Sequence, residues 1–175
     1  MPPRLEGTGS RGTRQISPVF SIQIQAANSS FGGETRMECD SHADTSVVGK
    51  NCLIIHDFER PVKVSGYDPK DGAKEYRTVT GVVAYDHPQT GQTYMLVVNQ
   101  AIEVPHLQNH LLCPMQCQIN GVKINELPKF LAKTPDKTTH ALQVVDPLSE
   151  SPLYIPMPLF GITSYFPVWK PTIEE

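Results

Sequence analysis

A chain of 175 residues with 39% apolar content is sized for the core of one modest domain and hardly for two. The net charge of −3, from 15 Lys+Arg against 18 Asp+Glu mixed along the chain, supplies no basic face of the kind phosphate backbones require, so no direct nucleic-acid binding is expected. No run approaches the roughly 18 apolar residues of a membrane-spanning helix, which excludes a helical membrane protein.

Residues 1–15 are rich in Arg, Gly, Thr, Ser and Pro and cannot repay the entropy of ordering, so residues 1–34 read as a flexible arm plus a first strand. That strand is marked by Phe20, Ile22 and Ile24 alternating with Ser21, Gln23 and Gln25. The first residues do not read as a signal peptide. With Cys39, Cys52, Cys113 and Cys117 read as reduced thiols, a cytoplasmic or other intracellular location is expected, virus-like particles included. Met37 and Cys39 alternate with Arg36 and Glu38, and Val47-Val48 follows, so a polar turn is expected over 40–45. Residues 51–58 read as a short strand.

Sixteen prolines and twelve glycines favour short strands with many turns. Residues 62–64 and 75–79 flank Gly66-Tyr67-Asp68-Pro69-Lys70-Asp71-Gly72, whose Asp-Pro and Asp-Gly pairs predict a hairpin with a polar tip. A second hairpin is expected from residues 81–85 and 93–98. Pro114 suits the first position of a helix and Gly121 its left-handed terminator, predicting one short helix over 114–121. Strands are expected at 122–124 and 141–145. Beyond Asp146, six prolines argue against regular elements, although Leu153, Ile155, Leu159, Ile162, Phe166 and Trp169 could lie extended on a neighbour. His87, His106 and His140 read as solvated.

The loop Asp40-Ser41-His42-Ala43-Asp44-Thr45 admits several chemistries. Asp40 and Ser41 could simply cap backbone amides in a turn. An aspartic endopeptidase needs two carboxylates sharing one proton, and one Asp per chain suffices if a two-fold axis passes beside Asp40. Ser41 would then brace the two loops, and the hairpin over 62–79 would close on the substrate. Cys39, His42, Cys52 and His56 offer two thiols and two imidazoles at spacings that structural zinc tolerates. A Ser-His-Asp hydrolase is disfavoured, because Ser41 lacks the glycine-flanked elbow and His42 is adjacent to it in sequence.

The order of that loop, a hairpin, and then Glu103-Val104-Pro105-His106-Leu107-Gln108-Asn109-His110-Leu111-Leu112 resembles the retropepsin-type protease of copia-like retrotransposon Gag-Pol polyproteins. The resemblance spans roughly residues 35–145 and leaves 146–175 as a Pro-rich C-terminal extension. It implies an all-β, retropepsin-like closed barrel with one short helix, active as a homodimer that cuts its own polyprotein or peptide substrate without a cofactor. By the same resemblance Asp40 is the catalytic carboxylate, Ser41 the bracing hydroxyl, and His42, Ala43 and Asp44 the substrate wall. The flap comprises Gly66, Tyr67, Asp68, Pro69, Lys70, Asp71 and Gly72. His42 departs from the family's glycine, where backbone must approach a ligand closely. A degenerate protease-like dimerisation or peptide-binding module and a small zinc-stabilised domain are the alternatives.

Overall fold

Alternation decides the strand that leads into the loop. Thr35, Met37 and Cys39 are buried while Arg36 and Glu38 between them are half-buried, as a period of two requires of a strand with one core face. In the computed structural model, which describes residues 22–24, 35–65, 70 and 72–173, they form β2 (Thr35–Cys39), preceded by β1 (Ile22–Ile24). The rest of residues 1–34, on which the expected arm falls, lies outside the described residues.

The chain continues through β3 (Val47–Val48), β4 (Leu53–Asp57), β5 (Val62–Ser65), β6 (Ala73–Tyr76), β7 (Thr78–Asp86), β8 (Thr93–Glu103) and β9 (His110–Leu112). After α1 (Pro114–Ile119) come β10 (Lys123–Asn125), β11 (Ala141–Val145), β12 (Pro152–Pro156), β13 (Leu159–Phe160) and β14 (Thr163–Val168). Among the described residues the fold is all-β with one short α-helix. That helix begins at Pro114, whose missing N–H costs nothing at a first helical position, and Gly121 follows it at φ +79°.

Both expected hairpins form. β5 pairs with β6, Lys63 opposite Glu75, and β7 pairs with β8 along nearly their full length. The β7–β8 hairpin is buried on both faces, which its near-continuous apolar runs allow. Val83, Tyr85, Tyr94, Leu96 and Val98 face the main core. Val82, Ala84, Met95 and Val97 face a smaller cluster covered by Leu53 and Trp169.

Nine strands join in one sheet whose path runs β13-β14-β2-β9-β3-β8-β7-β4, with β1 on β8. The expected closed barrel does not form: β13 and β4, the two ends of this path, do not pair with one another. The core is closed instead by a separate β10-β11-β12 sheet. Its Leu142, Val144, Leu153 and Ile155 join Met37, Val83, Leu96 and Phe166 in one apolar cluster. Residues 146–173 are built into the architecture. β12 pairs with β11 over five positions, and β14 pairs with β2, with Phe166 opposite Met37. Pro152, Pro156 and Pro167 are tolerated because extended backbone suits their fixed φ, while Pro152 and Pro156 lie at the two ends of β12. Trp169 then exchanges both backbone hydrogen bonds with Ala84, and its Nε1 donates to Asp86 Oδ2 at 3.0 Å.

Two histidines expected in solvent are buried. His87 caps the Gln89 and Thr90 amides through Nδ1, and its Nε2 lies 3.1 Å from the Tyr154 carbonyl. His140 Nε2 lies 2.8 Å from Ser164 Oγ. In both cases a tertiary partner, invisible in local sequence, satisfies the ring and allows its burial. His106 is exposed, as expected.

Candidate active site

The loop over 40–46 owes its position to an interleaved strand. In the chain, β2 runs through the loop into β3, but in space β9 lies between them, parallel to β2 and antiparallel to β3. The loop must therefore pass over the end of β9, and Asp40 N–H donates to the Leu112 carbonyl at 3.0 Å as it leaves the sheet. Strand alternation puts Asp40 on the face of Arg36 and Glu38, away from the core that holds Met37 and Cys39.

Asp40 opens the turn. Its Oδ1 accepts the His42 N–H at 2.9 Å and its carbonyl accepts the Ala43 N–H at 3.2 Å, an Asx-type turn. The capping role considered for Asp40 is thus part of the geometry, yet 37% of its side chain stays open to solvent. The His42 side chain is 97% exposed, with Nδ1 4.0 Å from Asp40 Oδ1 and 3.5 Å from Ser41 Oγ. Ser41 and Asp44 are exposed and Ala43 is half-buried. Among the described residues the non-glycine ones with positive φ are Glu59, Gln100, His140 and Glu150, so the loop demands no left-handed backbone at His42.

Bracing within the chain comes from residues that sequence reasoning missed. Ser46 N–H donates to Gln116 Oε1 at 2.9 Å, and Ser46 Oγ accepts the Cys113 N–H at 3.1 Å. Cys113, the N-cap of α1, donates its thiol to the Ala43 carbonyl at 2.9 Å. The signal was present in Pro114: a helix starting there makes residue 113 the cap, although cysteine is not a favoured one. On the outer face of β2, Asn109 Nδ2 donates to Glu38 Oε1 at 2.8 Å, and the Arg36 guanidinium lies 4.3 Å and 4.6 Å from the Phe160 and Tyr165 ring centroids.

The Val-Pro-x-Leu segment acquires a clear purpose. Lys50 N–H donates to the Leu107 carbonyl at 3.0 Å, and Val104 N–H to the Val48 carbonyl at 2.9 Å. A β-carbon on Gly49 would stand 2.4 Å from the Leu107 oxygen, so only glycine lets this segment seat against the end of β3.

Of the expected flap, only Lys70 and Gly72 belong to the described residues; Gly66, Tyr67, Asp68, Pro69 and Asp71 lie outside them. The hairpin's root is held by Arg77, which donates through Nε to Glu103 Oε2 and through Nη1 to Asp57 Oδ2, each at 2.8 Å. These contacts raise the Arg77 pKa, and the Glu59 backbone N–H, then Arg77, lower that of Asp57.

The zinc set does not assemble. Cys39 Sγ faces Met157 Sδ at 3.6 Å and Cys52 Sγ faces the Val82 carbonyl at 3.5 Å, both in the core, whereas His42 and His56 are exposed. Burial pushes both thiols up to about 12, the opposite of what a metal-binding thiolate needs. No group of three or more His, Cys, Asp or Glu side chains among the described residues is placed to hold a metal ion. No helix of the described residues is long and apolar enough to cross a membrane. Comparison with protein-family models, with curated proteins and with solved structures finds no match.

Proposed function

We propose that this chain is an aspartic endopeptidase of the retropepsin type, two copies of which pair to form one active site that cuts a polyprotein or peptide. The observation that carries this reading is the insertion of β9 between β2 and β3, which lifts a solvent-open Asp40 onto a loop backed by α1. A second copy related by a two-fold axis beside Asp40 would supply the other carboxylate. One carboxylate then takes a proton from the attacking water while the other, protonated, donates to the carbonyl oxygen of the scissile bond. The pair owns the titration, and each Asp40 exchanges roles with its mate as the leaving amine is protonated.

A protease-like module without chemistry draws on a different observation, the use of Asp40 Oδ1 as a cap for the His42 amide. The two readings part on one experiment. Incubating the chain with a degenerate peptide library between pH 4 and 7 should give cleavage that is concentration-dependent in enzyme. Asp40→Asn should lower kcat by at least about a thousandfold, as loss of an essential acid-base group does. Equal cleavage by wild type and Asp40→Asn would remove Asp40 as the catalyst.

A further inference from the structure

We infer that Cys113 is a positioning residue for Asp40, its buried thiol latching the loop to the first turn of α1. The inference rests on the protease reading, but the contacts behind it do not. Three points of the loop are tied to one short segment. Its start is held by Asp40 N–H to the Leu112 carbonyl at 3.0 Å, and its middle by Cys113 Sγ to the Ala43 carbonyl at 2.9 Å. Its end is held by Cys113 N–H to Ser46 Oγ at 3.1 Å and by Ser46 N–H to Gln116 Oε1 at 2.9 Å. Gln116 N–H in turn donates to Cys113 Sγ at 3.4 Å, so Ser46, Gln116 and Cys113 close a ring of three hydrogen bonds.

The sulfur carries two of these contacts at once, donating its proton toward the loop and accepting from the helix. It does so at 1% exposure, where water cannot substitute for a lost partner. A methyl group in its place would leave the Ala43 carbonyl and the Gln116 amide without that partner, in the stretch that fixes the direction of the Asp40 side chain. A hydroxyl can both donate and accept, with a slightly shorter reach. Serine is therefore the conservative replacement and alanine the disruptive one. Apposing two carboxylates within hydrogen-bond reach of one water tolerates little misplacement, so loosening the loop should slow the chemical step more than it weakens peptide binding.

The test compares wild type, Cys113→Ala and Cys113→Ser by peptide cleavage and by amide hydrogen exchange at His42, Ala43 and Ser46. Cys113→Ala is expected to lower kcat about tenfold with KM within twofold, to shift the acidic limb of the kcat-pH profile, and to speed exchange at those amides at least fivefold. Cys113→Ser is expected to recover most of each. Unchanged exchange and an unchanged kcat-pH profile in Cys113→Ala would overturn the inference. So would a serine variant as impaired as the alanine one in all three readouts. Should Cys113→Ala fail to fold, Cys113→Val, which refills the sulfur's volume but neither donates nor accepts, takes its place with the same expectations. If the wild type cuts no peptide, the protease reading fails by itself and the exchange comparison still decides whether the thiol holds the loop.

Discussion

At the scale of a residue, the question is what an imidazole does where retropepsin-type loops carry glycine. The backbone gives the answer: His42 does not occupy the left-handed region, so its φ costs a non-glycine residue nothing, and its side chain projects into solvent. Glycine here would add freedom to the unfolded chain without relieving strain. His42→Gly should therefore lower stability by about 0.5–1 kcal/mol, a fall of roughly 1–4 °C in Tm, and, on the proposed protease reading, should lower KM by clearing the expected substrate wall. Thermal unfolding and peptide kinetics check the two halves separately, and a rise in Tm would show that the loop is strained at this position. Much of this residue-scale picture was legible in the sequence. A turn at Asp40, a half-buried alternation before it and a helix at Pro114 all follow from local chemistry. What could not be read was the partner of each side chain. Cys113 lies 70 residues from Ala43, and Asn109 lies 71 from Glu38, separations across which local pattern carries no information.

At the scale of elements, β9 is the part on which the site depends, and Gly49 is what lets it be reached. The chain must run from β8 back past the end of β3 before β9 can enter between β2 and β3, and it does so against Gly49. Backbone oxygens of Leu107 and Asn109 would meet an added β-carbon at 2.4 Å and 2.9 Å, and neither can swing away as a flexible side chain would. Gly49→Ala should therefore cost about 3 kcal/mol, the upper end of the overpacking range, and Tm should fall by roughly 10 °C. A drop below about 2 °C in differential scanning calorimetry would mean that the segment yields. β2, β4, β10, β11 and the strands of both hairpins were legible in the sequence because their signals are periodic and local, whereas β9 and, beyond Asp146, β12, β13 and β14 were not. Nor were the interleaving and the failure of the sheet to close, since neither β9 at three residues nor β13 at two carries a periodic signal about its neighbours.

At the scale of the whole molecule, the segment read as an extension is structural. Removing residues 146–175 would take Leu153, Ile155, Met157, Phe166 and Val168 out of the core and strip β2 of its outer neighbour. Five buried apolar side chains at about 2 kcal/mol each amount to roughly 10 kcal/mol, comparable with the entire stability of a domain of this size. A chain ending at residue 145 should therefore be unfolded. A dispersed amide spectrum from it would instead support the boundary expected at 145.

The whole fold also carries a pH dependence that bears on the proposed chemistry. His110 is fully buried beside β2; its Nδ1 accepts the Gly49 N–H at 2.9 Å, and its Nε2 has no hydrogen-bond partner among the described residues. Burial lowers its pKa to about 4, and the backbone at Asn51 opposes this. The neutral ring fits the fold and the charged ring does not, so this contribution is complete above the unfolded value of 6.5 and is lost as pH falls from there toward 4. The fall from 6.5 to about 4 corresponds to about 3 kcal/mol, of which about 2 kcal/mol is gone by pH 5. A carboxylate pair sharing one proton works on the acidic side of neutrality, within the range in which the single chain weakens. Binding to the folded state offsets such a loss by mass action, about 2.7 kcal/mol for a ligand at a hundred times its Kd. A statine-type transition-state isostere should therefore raise Tm, and so counter the acid-induced fall. Urea denaturation between pH 7 and 4 should show the fall in wild type. His110→Asn, which keeps an acceptor for Gly49, should be less stable at pH 7 but nearly flat across that range, and equal slopes for the two proteins would assign the acid sensitivity to other groups.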